Sequence, residues 1–209
     1  MFVDYFRHAE SDWVWRAEEA KRRGEPAKFG GRMNDVDLSP AGLRQCPALK
    51  RFRERNNINP VAYYSSPAKR AKRTFMEGLG VDPITIDDLQ ERDWGKWTGE
   101  FRSIAETSPF VEQIARLGSG FTPPDGESDD QLRRRGVSAF WEMMGKHDAQ
   151  SNDVIWVCSH RNLIGETLAE LLGWPEGQAA RKPLDLLSRT RLKVVGKRVE
   201  LVSLNESIS

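Results

Sequence analysis

Two short apolar runs, each followed at once by a histidine, constrain this chain more than any other feature. Residues 2–6 lead into Arg7 and His8, and residues 154–159 lead into His160. Such runs are typical of buried strands, and ligand crevices form at the carboxyl ends of strands in open α/β sheets. One histidine in this position is more often a buried structural residue. The chain has only three histidines, so two matched placements, one beside an arginine, favour an anion-binding site.

The composition excludes several classes of protein. The chain has 209 residues, enough for one domain with a full core, and its charges nearly cancel at a net +1. A general nucleic-acid binder would carry a strong basic excess, so we expect no nucleic-acid partner. No apolar stretch approaches the roughly 20 residues of a membrane helix, and the N-terminus lacks a basic lead. We therefore expect no membrane partner and a cytoplasmic location.

The cysteines and histidines are too sparse for a disulfide framework or a metal site. Cys46 and Cys158 are the only cysteines, and no group of Cys and His has metal-ligand spacing. Both cysteines are expected to be reduced and buried.

Strand-like and helical segments alternate along the chain. Strands are predicted at 1–6, 61–64, 84–86 and 153–158, followed by a terminal hairpin at 190–195 and 198–204. Helices are predicted around 14–23, after Ser39-Pro40 with an interruption at Pro47, after Ser66-Pro67, after Ser128 and after His160. This alternation predicts an α/β fold, a three-layer α/β/α sandwich with a mainly parallel central sheet and an antiparallel C-terminal strand or hairpin. We expect a single domain over 1–209, with insertions at 12–34 and 100–126 that act as a substrate lid.

Cationic side chains follow three of the predicted strands. Arg7 and His8 end the first strand, Arg70 follows the second, and His160 ends the fourth. If these strands are neighbours, the side chains meet in one crevice. A phosphoryl group suits that crevice, because the planar fork of arginine matches its oxygens with two parallel hydrogen bonds. Taken alone, Arg70 is more simply a solvated helix residue.

A carboxylate follows in a turn-rich segment. Glu91 lies within residues 89–99, together with Gly95 and Gly99. Glycines let the backbone approach a ligand closely, and a carboxyl group held beside a phosphate suits general acid catalysis. Without the other motifs, Glu91 would be interpreted as a surface partner of Arg92.

Together these segments resemble the motifs of the histidine phosphatase superfamily, the phosphoglycerate-mutase-like proteins. In family order, Arg-His-Gly-Glu is matched by residues 7–10, Asp-x-x-Leu-Thr-x-x-Gly by 35–42, Ser-Ser-Pro-x-x-Arg-Ala-x-x-Thr by 65–74, Leu-x-Glu-x-x-x-Gly-x-Trp-x-Gly by 89–99, Pro-x-Gly-Glu-Ser by 124–128 and Ser-His-Gly by 159–161. The set covers about residues 1–172 and is far more specific than any single motif.

The resemblance implies a phosphatase that hydrolyses a phosphomonoester through a phosphohistidine intermediate on His8. It implies that Arg7, Arg70 and His160 bind the phosphoryl oxygens. Glu91 would protonate the leaving oxygen and then activate water for the second step. Fixed cations would do the work of metal ions, so we predict a metal-independent histidine acid-type phosphatase without a cofactor. His8 must attack as the neutral imidazole, and the neighbouring arginines are expected to lower its pKa.

Three departures from the family pattern concern the substrate. Ala9 replaces a glycine, Arg161 replaces the glycine after the second histidine, and Val14 stands where an asparagine is common. Arg161 places a further cation near the site, and Asn34 is a candidate for supplying the lost amide. Both are therefore candidate substrate-binding residues.

Two alternative functions stay open at this point. Phosphoglycerate mutases of this family are generally longer and carry paired arginines and a tyrosine after the glutamate motif, whereas residues 103–121 hold only Arg116. A non-catalytic phospho-ligand-binding module would keep the pocket and release no product. The expected partner is a phosphorylated small molecule, with a phosphoprotein as the alternative, and the chain is expected to be a monomer or a homodimer.

Overall fold

A six-stranded sheet lies at the centre of the computed structural model, which describes residues 1–147 and 152–208. The strands are β1 (Phe2–Arg7), β2 (Ala62–Ser65), β3 (Ile84–Thr85), β4 (Val154–Ser159), β5 (Arg189–Val195) and β6 (Arg198–Glu206). Their spatial order is β3-β2-β4-β1-β5-β6. The first four in this order are parallel, whereas β5 runs antiparallel to β1 and β6 runs antiparallel to β5. The predicted mainly parallel sheet with an antiparallel C-terminal hairpin is confirmed.

Helices connect the strands and begin largely where the sequence predicts. They are α1 (Asp12–Arg22), α2 (Pro40–Gln45), α3 (Pro47–Arg55), α4 (Lys69–Leu79), α5 (Phe110–Leu117), α6 (Asp129–Gly145), α7 (Arg161–Leu171) and α8 (Gln178–Arg181). The Ser39 side chain caps α2, and Ser128 forms a capping box with Gln131 at the start of α6. Pro47 separates α2 from α3, as expected of a residue that has no N–H to donate. Within the described ranges, no helix is long and apolar enough to cross a bilayer.

One predicted helix start is wrong in its details. The sequence predicts that Ser66 caps the helix after β2, but α4 begins at Lys69 and its N-cap is Ala68, which provides no side-chain bond. The Ser66 hydroxyl instead accepts a hydrogen bond from the Ala68 N–H at 3.2 Å and faces the ring of His160. The Ser66 hydroxyl therefore binds Ala68 and His160 at the carboxyl end of the strands and does not cap the helix.

Both faces of the sheet are covered, which confirms the three-layer sandwich. On one face the strands bury residues such as Tyr5 and Val157 against α6 and α7. On the opposite face they bury Phe6 and Trp156 against α3 and α4. Adjacent strand residues point to opposite faces, and both faces are covered, which explains why β1 and β4 are largely apolar. Cys46 and Cys158 lie buried and unbridged in the second layer, as predicted.

A third, smaller apolar cluster joins the two predicted insertions. It consists of Phe29, Trp97 and Phe121, and we call it the insertion cluster. The Phe29 N–H donates to the carbonyl of Glu100 at 2.9 Å, and the Gly99 N–H donates to the carbonyl of Phe29 at 2.9 Å. The insertions therefore pack on each other and carry a small core of their own.

Candidate active site

The register between β1 and β4 brings the two predicted histidines together. Arg7 is paired with Ser159, and the His8 N–H donates to the carbonyl of Ser159 at 3.0 Å. The next residue on each strand is therefore a histidine, and the ring centroids of His8 and His160 lie 5.2 Å apart. His8 is 4% exposed and His160 is fully buried. The expected juxtaposition of the two strand ends is present.

Arg70 lies between these two imidazoles. Strand β2 pairs with β4, and α4 then carries Arg70 in its first turn. The Nε–H of Arg70 points at Nε2 of His8 at 3.3 Å, and its Nη2 lies 3.2 Å from Nδ1 of His160. Its Nη2 also donates a hydrogen bond to the carbonyl of Gly31 at 3.1 Å, and its Nη1 donates to the carbonyl of Met33 at 2.5 Å. The guanidinium is therefore held from both sides, and Arg70 is a buried residue and not a solvated one.

Hydrogen bonds define the tautomer of each histidine. Nδ1 of His8 lies 2.7 Å from the carbonyl of Ala9, which can only accept, so Nδ1 carries the proton. Nε2 of His8 is then unprotonated, and its lone pair accepts the hydrogen bond from the Nε–H of Arg70. At His160, Nδ1 faces the Arg70 guanidinium, which can only donate, so Nε2 carries the proton and donates to the Ser66 hydroxyl at 2.8 Å.

Both histidines are held in the neutral form. Burial is the main cause that lowers the pKa of His8 well below its ordinary value, and Arg70 and Arg7 lower it further. Burial likewise lowers the pKa of His160, with Arg70 again the next contribution. The sequence predicted the direction of the His8 shift and attributed it to the arginines, whereas loss of hydration has the larger effect.

Arg7 reaches the same crevice with part of its guanidinium unpaired. Its Nη1 donates to the carbonyl of Leu184 at 2.9 Å. Its Nε–H is buried and has no hydrogen-bond partner among the described residues. Burial lowers the pKa of Arg7, and the negative charge of Glu91 opposes that shift. The positive charge of Arg7 lowers the pKa values of both His8 and His160, so its guanidinium lies near both imidazoles. We refer to Arg7, His8, Arg70 and His160 as the histidine–arginine cluster.

Glu91 lies near Arg7 and Arg70, in a loop of residues 88–96 that we call the Glu91 loop. Its Oε1 accepts the N–H of Arg92 at 2.8 Å, and its Oε2 lies 3.5 Å from the N–H of Asn162 in the first turn of α7. Its charge raises the pKa values of Arg7 and Arg70 against the larger lowering effect of burial. The carboxylate is therefore near both guanidinium groups.

The two candidate substrate-binding residues lie at the rim. The amide of Asn34 donates to Oε1 of Gln90 at 2.8 Å, next to Glu91, and the residue is exposed. Nη2 of Arg161 donates to the carbonyl of Ala180 at 3.0 Å, and no ion pair ties Arg161 to a carboxylate in the described part of the chain. Neither residue enters the histidine–arginine cluster.

Several contacts that shape the site were not predicted from the sequence. The Ser66 hydroxyl binds the ring of His160. The side chains of Arg32 and Arg135 both donate to the carbonyl of Glu91. The carboxylate of Glu127 in turn binds both of these arginines. Ser66 and Glu127 stand inside motifs that the sequence does reveal. Arg135 carries no local signal, because it is one of three consecutive arginines on a helix.

The fold and the site define an α/β sandwich in which two neutral imidazoles at strand ends lie beside the half-buried Arg7 and the buried Arg70. The sequence model of the histidine phosphatase superfamily (branch 1) matches residues 5–207. The chain therefore belongs to the histidine phosphatase superfamily.

Individual relatives share about a third or less of their residues with this chain over the aligned region. The chain is 33% identical over 169 residues to a bifunctional protein of Mycobacterium tuberculosis, which covers 78% of this chain and 45% of that protein. It is 29% identical over 151 residues to the metal-independent phosphoserine phosphatase of Arabidopsis thaliana, covering 69% of this chain and 58% of that enzyme. The chain thus spans about half the length of these curated relatives. Among solved structures, mycobacterial glucosyl-3-phosphoglycerate phosphatase, solved with VO3, shares the fold at a TM-score of 0.76, 21% identity and 99% coverage of both chains.

Proposed function

We propose that this protein is a phosphatase that hydrolyses a phosphomonoester through a phosphohistidine intermediate on His8. One observation carries the proposal: the unprotonated Nε2 of His8 lies 3.3 Å from the Nε–H of Arg70. A nucleophile and a cation that can bind the attacked phosphoryl group thus occupy the same buried crevice. Membership in the histidine phosphatase superfamily supports the same chemistry.

In the first step, Nε2 of His8 attacks phosphorus and the bond from phosphorus to the ester oxygen breaks. Nδ1 keeps its proton and donates it in a hydrogen bond to the Ala9 carbonyl, and this bond holds the ring in the reactive orientation. Arg7 and Arg70 bind the phosphoryl oxygens and stabilise the charge of the transition state. Glu91 acts as the general acid in this step: it gives a proton to the leaving oxygen, and an alcohol departs.

In the second step, water attacks the phosphohistidine. The carboxylate of Glu91 takes the proton from water, the nitrogen–phosphorus bond breaks, and inorganic phosphate leaves. The neutral His8 and the protonated Glu91 are then restored. His160 binds the phosphoryl group beside His8, and an incoming dianion favours a second proton on its Nδ1, which would make that nitrogen a donor.

The cations of the site supply the charge stabilisation that other phosphoryl-transfer enzymes obtain from metal ions. We therefore propose a metal-independent reaction that needs no cofactor. The proposal makes a direct prediction, which is that a chelator leaves the turnover of a phosphomonoester unchanged.

The rim of the site is proposed to select the substrate. Arg161 is a cation without a carboxylate partner in the described residues, so it is available to a second anionic group of a small phosphorylated molecule. Asn34 offers an amide on the opposite side, beside Gln90. The two insertions, joined by the insertion cluster, would act as a lid that excludes water.

Net hydrolysis is favoured over a mutase reaction by one further observation. Residues 103–121 supply a single arginine, Arg116, and it lies exposed on α5. No second arginine in this segment is available to hold a phosphorylated intermediate for its return. If a mutase operated, label from a phosphorylated donor would appear in a second product and not in inorganic phosphate.

The test combines turnover with trapping of the intermediate. The protein is incubated with p-nitrophenyl phosphate, with and without chelator, and is quenched during turnover for peptide mass spectrometry. We expect release of p-nitrophenol in both samples and one phosphoryl group on the peptide that contains His8. Binding of phosphate without product would support the non-catalytic module, and turnover with phosphate on another residue would refute the role of His8.

A further inference from the structure

Glu127 and Arg135 form a buried ion pair directly behind the Glu91 loop. Glu127 belongs to the segment 124–128, for which the proposed chemistry has no use. Its carboxylate binds Arg135 through two hydrogen bonds, from Nη2 to Oε1 at 2.6 Å and from Nε to Oε2 at 2.9 Å. The side chains of Glu127 and Arg135 are only 10% and 13% exposed. A bidentate pair this well shielded is strongly oriented.

The remaining donors of Arg135 all bind the backbone of the Glu91 loop. Nη1 donates to the carbonyls of Asp88 and Gln90 at 2.8 and 2.7 Å. Nη2 donates to the carbonyl of Glu91 itself at 2.9 Å. One guanidinium therefore sets the orientation of three peptide groups, including the two that flank the Cα atom of Glu91. Their orientation decides in which direction the Glu91 side chain leaves the loop.

Glu127 holds the next part of the same loop. Its Oε1 accepts the N–H of Asp93 at 2.8 Å, and its own N–H donates to the carbonyl of Asp93 at 2.9 Å. Gly95 and Gly126 allow this close approach: a Cβ added at Gly126 would lie 2.7 Å from the carbonyl oxygen of Asp93, and one added at Gly95 would overlap the carbonyl of Pro124. The loop is thus fastened on both sides of Glu91.

Arg32 connects this arrangement to the histidine–arginine cluster. Its Nε donates to the carbonyl of Glu91 at 3.2 Å and its Nη2 donates to Oε2 of Glu127 at 3.3 Å. The residues on either side of Arg32, Gly31 and Met33, supply the carbonyls that bind Arg70. Arg32 therefore links Glu127 and the Glu91 loop to the segment that binds Arg70.

The charge on Glu127 is stable in spite of its burial. Burial alone would raise the pKa of Glu127, but the hydrogen bonds from Arg135 and the Asp93 N–H, with the charges of Arg135 and Arg32, lower it below its ordinary value. A buried carboxylate with this many partners loses much if one partner is removed, since the remaining charge stays desolvated. Substitution of Glu127 or of Arg135 is therefore expected to move the Glu91 loop.

We infer that Arg135, together with Glu127, is a positioning residue that aims Glu91 at the leaving oxygen of the substrate. The inference rests on the proposed role of Glu91 as the general acid. Arg135 touches neither substrate nor reacting atoms, so its effect must pass through Glu91. That restriction provides the test, because a misplaced general acid harms poor leaving groups more than good ones.

The experiment compares kcat/KM for p-nitrophenyl phosphate, whose leaving group needs little protonation, with that for phenyl phosphate. For Glu91→Gln we expect the ratio of the two values to rise by about 10²-fold, the lower end of what a general acid contributes. For Arg135→Met we expect a rise of about tenfold to 10²-fold, since small misplacements of a catalytic group have effects of this size. Arg134→Met is the matched control, because Arg134, the neighbour of Arg135 on α6, is exposed, and the ratio for this variant should equal that of the parent.

The outcomes distinguish a positioning role of Arg135 from a purely structural one. If Arg135 has a purely structural role, Arg135→Met should lower kcat/KM equally for the two substrates, which leaves their ratio unchanged. An unchanged ratio in Arg135→Met, together with a raised ratio in Glu91→Gln, would overturn the positioning role of Arg135 and leave the acid role of Glu91 in place. If Arg135→Met does not fold, Arg135→Lys is measured instead; lysine keeps the charge near Glu127 but has no planar fork, so the ratio should still rise. An unchanged ratio in Glu91→Gln would overturn the acid role and this inference with it. Phosphorylation of His8 is tested separately and would stand.

Discussion

The histidine–arginine cluster and the Glu91 loop face each other across one crevice but are held by different interactions. The cluster begins on β1 and β4, where a ladder of backbone hydrogen bonds places His8 and His160 side by side. The Glu91 loop contains only short turns, and side chains from elsewhere, notably Arg135, bind its carbonyls. The first region depends on the sheet, whereas the second depends on a few buried polar contacts.

This difference predicts how each region fails. A strand end moves only if the sheet moves, so substitution of His8 or His160 is expected to remove chemistry and leave the geometry intact. The loop has no ladder to restrain it, so loss of one polar partner changes the geometry without removing a reacting group. Substitutions at four positions sharpen or break this comparison, from the largest expected effect to the smallest.

The largest effect is expected for His8→Ala. Removal of a covalent nucleophile elsewhere costs at least about 10³-fold in rate, and we expect a loss of that size in kcat/KM for p-nitrophenyl phosphate. His147→Ala is the matched control, because the ring of His147 binds the Tyr64 hydroxyl at 2.9 Å and lies outside the cluster. Near-normal turnover by His8→Ala would remove the basis for the proposed mechanism.

Arg70→Met is expected to cost about 10²-fold in kcat/KM, the usual loss when one charged donor to a transition state is removed. It should also change the pH profile. His8 must be neutral to attack, and Arg70 helps to keep its pKa low, so removing that charge raises the pKa. Activity on the acidic side should then fall at higher pH than in the parent, with a larger deficit at about pH 5.5 than at about pH 8.

Arg70→Lys separates these two effects. Lysine keeps the positive charge near His8 but cannot bind two oxygens at once. The rate should therefore fall while the acidic limb stays where the parent has it. A shift of the limb in both variants, or in neither, would contradict the assignment of Arg70 as the charge that assists burial in keeping His8 neutral.

A smaller effect is expected for Trp97→Ala in the insertion cluster. Trp97 is 2% exposed, but its cluster lies apart from the two layers that cover the sheet. We expect kcat/KM to fall about tenfold through a misplaced lid, with faster amide hydrogen exchange over 94–121 and unchanged protection in β1 and β4. Trp15→Ala, which removes a side chain that is 45% exposed, is the control. Exchange that accelerates equally in the sheet would show that the insertions are not a separate unit.

The smallest effect is expected for Arg161→Met. A half-exposed cation contributes modestly, so KM should rise about twofold to fivefold for 3-phosphoglycerate, which carries a second anionic group, and stay unchanged for p-nitrophenyl phosphate. The effect should weaken in high salt. Arg51→Met, on the exposed side of α3, controls for loss of net charge. Equal KM changes for both substrates would argue against a second anion site at Arg161.

Much of the fold was predictable because strands and helices leave local signals. The apolar runs of β1 and β4, the Ser39-Pro40 start of α2 and the capping box at Ser128 all appear as predicted. The start of α4 was mispredicted, because the polar groups of Ser66 are used by Ala68 and His160. Local sequence cannot distinguish a serine that caps a helix from one that binds a distant ring.

The candidate site divides in the same way. The sequence placed His8, His160 and Arg70 near one another, because strand ends and capped helices are local features. It assigned no role to Arg135, whose contacts to Gln90 and Glu91 span 45 and 44 residues. Arg133, Arg134 and Arg135 look alike in sequence, and only the packing of α6 beside the Glu91 loop distinguishes them.

The sequence by itself determined which side chains end β1 and β4, since apolar periodicity and position along a strand are properties of neighbouring residues. The tertiary structure decided their chemical state. The tautomers and the lowered pKa values of both histidines follow from burial and from guanidinium groups that other elements supply. Hydration and charge at a site depend on everything packed around it, and that packing forms only when the chain has folded.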